Sequence, residues 1–80
     1  MVTKQRLSVL QHYEELCYSI CIYLVRCDKL AAEAAKNTLL QLAACDAFFA
    51  AADTEQKLLL RKESIRCSLE ALKARINTAS

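Results

Sequence analysis

Cys17 and Cys21 stand four residues apart, a spacing that puts two side chains on one turn of a helix, where they could supply half of a tetrahedral zinc site. The other half is missing. No C-x-x-C pair occurs, and the one histidine, His12, falls on the polar side of the same helical wheel. Both cysteines lie on an apolar stripe, so they read as buried free thiols that pack as small hydrophobes. A catalytic cysteine would need a basic neighbour to lower its pKa, and none is placed to do so. Glu14 and Glu15 are adjacent, so on a helix they point about 100° apart and cannot serve one substrate as acid and base. The residue types therefore predict no enzyme, no cofactor and no metal site.

Any such groups must be positioned by helices. The chain has 80 residues, 55% hydrophobic and 25% charged, with Gly 0 and Pro 0. That balance predicts a single folded domain over 1–80. Lack of glycine and proline excludes phosphate-cradling loops and tight hairpins, which need the φ values those residues supply at low cost. The net charge of +2 excludes strong global attraction to nucleic acid or anionic lipid. Five cysteines, an odd number, and a polar start with no secretory pattern point to a reducing cytoplasm. The most apolar run, Leu16 to Val25, is interrupted by Ser19 and falls well short of the roughly 20 residues that span a bilayer, so no membrane segment is expected.

Apolar spacing predicts an all-α, three-helix bundle with short connections and helices over about 3–26, 29–52 and 55–76. Leu10, Tyr13, Cys17, Ile20 and Leu24 mark the inner stripe of the first helix. Ala35, Thr38, Leu42, Cys45 and Phe49 mark that of the second. For the third, the larger side chains Leu58, Ile65, Leu69, Leu72 and Ile76 are assigned to the core. Asp28 is expected to cap the second helix, and Asp53 with Gln56 has the form of a capping box for the third. Opposite the third helix's main stripe, Leu60, Ser64, Cys67, Ala71 and Ala74 form a second, small and weakly polar face, a candidate for homodimeric self-association.

Charge is also uneven. Residues 57–76 carry +4 and the rest of the chain −2, which makes Lys62, Arg66 and Lys73 candidate nucleic-acid contacts. No aromatic residue follows Phe49 to stack on a base, so DNA binding is expected to be weak, or to occur only within a complex.

The order of residues resembles a known family. Leu30-Ala31-Ala32-Glu33-Ala34-Ala35-Lys36-Asn37-Thr38-Leu39-Leu40-Gln41-Leu42 is similar to the L-A-E-D-A-V-Q-E-T-F-L-R-L run in region 2 of bacterial RNA polymerase sigma factors of the extracytoplasmic-function type. Tyr13 to Tyr18 and Leu24 to Asp28 resemble that family's first helix and the turn after it. Arg66 to Lys73 resembles the N-L-A-L-D-H-L-R stretch of its promoter-reading helix. The likeness runs in order from about residue 7 to 75, and it implies a sigma-region-2-like bundle. It further implies that Glu33, Lys36, Asn37 and Gln41, on the second helix, contact the polymerase's largest subunit or a partner sigma subunit. Lys36 and Asn37 replace the family's Gln-Glu pair, and Leu59 stands where the family has tryptophan, so the promoter-melting aromatics are missing.

The resulting expectation is a stand-alone, sigma-region-2-like transcription protein that acts by protein contact. The alternative is a homodimeric helical interaction module unrelated to transcription. A thiol- or metal-dependent sensor, resting on the cysteines alone, is a third.

Overall fold

The computed structural model describes residues 4–79, with side chains through Arg75. Four helices follow one another: α1 (Lys4–Val25), α2 (Asp28–Ala43), α3 (Asp46–Ala50) and α4 (Asp53–Ala79). No strand occurs among the described residues. The expected all-α class holds, but the second expected helix is two, because the chain breaks at Ala44-Cys45. α1, α2 and α4 pack against one another around a single core, with α3 closing one end. Contacts of Tyr13 with Gln56 and of Cys17 with Ser64 run α1 parallel to α4. Arg6 meets Ala43 while Cys17 meets Ala35, so α2 is antiparallel to α1. The molecule measures 41 × 24 × 18 Å, its long dimension matching the about 40 Å of a 27-residue α4.

The core is built from small residues along its middle. Cys17, Cys21, Ala31, Ala34, Thr38, Ser64 and Ser68 are wholly buried. Small side chains let helix axes approach toward the short end of the usual range. Large ones gather near the α3 end, where Phe48 and Leu60 are wholly buried and the Tyr13 and Phe48 rings meet edge to face at 6.0 Å. On α1 the buried line runs Leu10, Tyr13, Cys17, Cys21, Val25, leaving the expected Ile20 and Leu24 half-buried at its margin. Ala35, Thr38 and Leu42 lie inside as expected, whereas Phe48 displaces Phe49 as the innermost ring because α3 starts a new helical phase.

On α4 the expected faces are exchanged. Leu60, Ser64 and Cys67 form the core face, while Leu58 (60% exposed), Ile65 (38%) and Leu69 (53%) point outward. Leu72 is half-buried, and the side chain of Ile76 lies outside the described residues. The reason is size: opposite Cys17 and Ala35 there is room for serine and cysteine but not for a row of leucines.

The helix ends also differ from expectation. Cys27, in an extended conformation, is the N-cap of α2, and Asp28 is the first helical residue, with no side-chain cap bond formed. Gln56 does not reach back to close a capping box; its side chain enters the core, accepting from Tyr13 Oη (3.1 Å) and donating to the Phe48 carbonyl (3.0 Å). Arg6 donates to the Ala43 carbonyl at 3.1 Å, pairs with Asp46 and lies 4.5 Å over the Phe49 ring, tying α1 to the break between α2 and α3.

Just past the end of α1, Arg26 adopts a φ of 53° and donates its amide to Ile22 O at 2.9 Å. This left-handed position is one where a Cβ is disfavoured. Arg26→Gly is therefore expected to raise stability by up to about 1 kcal/mol, with Arg26→Ala near neutral because it keeps the Cβ, as read by thermal melting. Ser68 poses the reverse case: its hydroxyl is buried with no hydrogen-bond partner among the described residues. Ser68→Ala should stabilise by about 1 kcal/mol in denaturant titrations, since it removes an unpaired polar atom at almost no change in volume.

Candidate functional site

The exposed crest of α2 separates two grooves, and it divides the four residues expected to make partner contacts. Glu33, Asn37 and Gln41, spaced four apart, align along the side facing α4. There they form one wall of a groove of about 830 Å³, whose other wall is α4 with Arg66, Glu70 and Arg75. Leu30 and Leu40 add apolar surface, Leu40 being 59% exposed. Lys36 faces the other way, into a smaller groove of about 670 Å³ between α1 and α2 beside Glu14, Glu15 and Tyr18. The geometry thus joins Glu33, Asn37 and Gln41 and sets Lys36 apart. Beneath the crest, Thr38 donates to the Ala34 carbonyl at 2.8 Å, and Leu42 is buried. Both hold the crest's rotation.

The candidate nucleic-acid contacts are likewise divided. Lys62 and Lys73 are exposed, whereas Arg66 is held by Glu63 at 2.8 Å and Glu70 at 2.7 Å. Those carboxylates, Glu63 first, raise the Arg66 pKa and offset its charge where a phosphate would need it. The five residues assigned to self-association do not make one free surface. Leu60, Ser64 and Cys67 are core, Ala71 is half-buried, and Ala74 opens onto the α2–α4 groove. Sequence reasoning missed the α2–α4 groove as a unit, because its α4 wall comes from residues assigned to a different face.

All five cysteines are free; Cys17, Cys21 and Cys67 are buried, and Cys27 and Cys45 half-buried. Cys17 Sγ lies 3.3 Å from Ser64 Oγ and donates to the Ala35 carbonyl at 3.8 Å, while Cys21 Sγ lies 4.0 Å from the Ser64 carbonyl. These thiols are engaged by backbone and hydroxyl groups. No group of three or more His, Cys, Asp or Glu side chains suited to a metal occurs among the described residues, and no helix there is long and apolar enough to cross a membrane. His12 is exposed, its ring against Tyr13 at 5.0 Å.

Comparison with protein-family models, with curated proteins and with solved structures finds no match. The class defined by the fold is an all-helical bundle with a two-walled groove on one flank.

Burial pushes the Cys17 thiol from its ordinary 9.0 up to about 11, against the smaller, opposing effect of the Ser64 hydroxyl. Between those values only the unfolded chain releases the proton. The Cys17 contribution to stability should therefore be constant below pH 9.0 and fall as pH rises toward about 11, a decline that Cys17→Ala should flatten in melting curves. Thiol titration of the native protein at neutral pH should find Cys27 and Cys45 reacting first, with Cys17, Cys21 and Cys67 protected until unfolding.

Proposed function

We propose that this chain is a sigma-region-2-like transcription protein that acts by protein contact, docking the α2 edge bearing Glu33, Asn37 and Gln41 on RNA polymerase or on a partner sigma subunit. The observation that carries the reading is the arrangement of that edge. The three polar side chains share one wall of an open groove, with Leu40 exposed among them, the mixture of a small apolar centre and a polar rim typical of protein interfaces. The resemblance of the Leu30 to Leu42 run to sigma region 2 supplies the partner. Lys36 falls outside the contact, on the α1 side of the crest.

On this reading the chain works through a partner, either supplying part of a sigma function beside it or regulating it. With Arg66 tied to two carboxylates and no stacking aromatic after Phe49, the chain meets promoter DNA weakly, or only within a complex, and a partner supplies the melting chemistry. The homodimeric alternative would have to draw Leu60, Ser64 and Cys67 out of the core, so no observation favours it.

Glu33 is exposed, so its charge can be reversed without disturbing packing. Glu33→Lys is expected to weaken capture of purified polymerase core or sigma subunit several-fold. The loss should be largest at low ionic strength, and the melting temperature should be unchanged. Lys36→Glu serves as the control and should retain binding. Equal capture by wild type and Glu33→Lys, or no capture by either, refutes the reading.

A further inference from the structure

The outward face of α4 carries a pattern that the core uses only at Leu72. Leu58, Lys62, Ile65, Leu69 and Leu72 follow one another at spacings of four, three, four and three, the alternation of a coiled-coil seam. Leu60 and Cys67, which anchor the helix to the core, lie diametrically opposite that seam. Leu58, Ile65 and Leu69 are 60%, 38% and 53% exposed, so the seam is uncovered along about 16 Å of helix, and Leu72 at its far end packs partly against the core.

The positions flanking such a seam set the choice of partner. Here they hold Arg61 and Arg75 on one side, with Arg66 and Lys73 on the other. Lys62 adds a cation within the seam itself. Arg61, Lys62, Lys73 and Arg75 are exposed and form no ion pair among the described residues.

We infer that the outer face of α4 is a docking seam for an acidic amphipathic helix of another protein, with leucine-type residues facing Leu58, Ile65, Leu69 and Leu72 and carboxylates facing Arg61, Lys62 and Lys73. A second copy of this chain is disfavoured. Parallel or antiparallel, it would set cations of one seam against cations of the other, and like charges across a helix pair repel. A lipid surface is disfavoured by Lys62 in the middle of the apolar line and by the lack of an aromatic anchor on this helix. Nucleic acid offers phosphates for the cations but nothing for the exposed Leu58, Ile65 and Leu69. The seam goes beyond the proposed function; Leu58, Lys62, Ile65 and Leu69 lie outside the α2–α4 groove, which shares only the flanking Arg66 and Arg75.

The test uses the full chain and two labelled probe peptides. Both are heptad helices with leucine at the seam positions; one carries glutamate and the other lysine at the flanking positions. Fluorescence anisotropy should show the acidic peptide binding at least about tenfold more tightly than the basic one, weakening as salt is added. Leu69→Asp should weaken the acidic peptide by about tenfold or more, and so should Arg61→Glu combined with Lys73→Glu, a pair that leaves every apolar contact in place. Melting curves check that both variants fold, and Glu33→Lys should bind the acidic peptide as wild type does, separating this seam from the α2 edge. Several outcomes overturn the inference: no preference for the acidic peptide, undiminished binding by the folded charge-reversal variant, or a dimer in sedimentation that Leu69→Asp dissolves. So does capture of phosphatidylglycerol vesicles or a random DNA duplex, but not the acidic peptide, through the same residues.

Discussion

A middle core built from small side chains is the constraint on which the rest of this structure depends. Along the middle of the bundle the three long helices meet through Cys17, Cys21, Ala31, Ala34, Thr38, Ser64 and Ser68, with no large side chain among them. A seam of that width gains dispersion contact from backbone and Cβ atoms rather than from long side chains. It also explains why thiols and hydroxyls serve here as filler. Ser64 contacts both cysteines, by its hydroxyl and its carbonyl, so its polarity is partly spent inside the core.

Such a narrow waist must be closed at its ends by something larger. At one end Tyr13, Phe48, Leu60 and Gln56 do this, and Gln56 ties α1 to the Phe48 carbonyl of α3 through two hydrogen bonds. Burial, reinforced by the nearby Asp53 carboxylate, raises the Tyr13 pKa and keeps its hydroxyl protonated as a donor. Arg6 closes the same end from outside, satisfying an α2 carbonyl and holding Asp46, whose carboxyl it lowers below the usual range. These contacts fix the orientation of α2, and hence the direction in which Glu33, Asn37 and Gln41 face.

Much of this was legible in the sequence where side-chain size and periodicity agreed. Leu10, Tyr13, Cys17, Thr38 and Leu42 sit where their spacing put them, and the first and last breaks fall within two residues of the expected ones, α1 ending at Val25 rather than 26 and α4 starting at Asp53 rather than 55. The break at Ala44 was not legible. Ala43-Ala44-Cys45 has no residue that stops a helix, and the interruption exists because Phe48 must turn under Tyr13, a tertiary demand that overrides propensity. The inversion of α4 has a related cause. Hydrophobicity ranked Leu58, Ile65 and Leu69 above Leu60, Ser64 and Cys67, but available volume decided the matter, and volume is a property of the partners' side chains. For the groove site, the α2 wall could be read locally, whereas the α4 wall depended on that rotation.

Two apolar faces on one helix create a degeneracy: half a turn about its own axis would give α4 a second, superficially comparable way to lie on α1 and α2. The narrow waist lifts that degeneracy. In the rotated state leucine and isoleucine would press against Cys17 and Ala35, forcing the axes apart, while Ser64 and Ser68 would return to water and the contacts of Ser64 with Cys17 and Cys21 would be lost. Steric exclusion thus works here as discrimination between folds, holding the native state apart from a competitor of similar hydrophobicity. Enlarging the waist by even a few methyl groups would erode uniqueness before it eroded helicity, and the chain would then populate two rotational isomers of the same bundle.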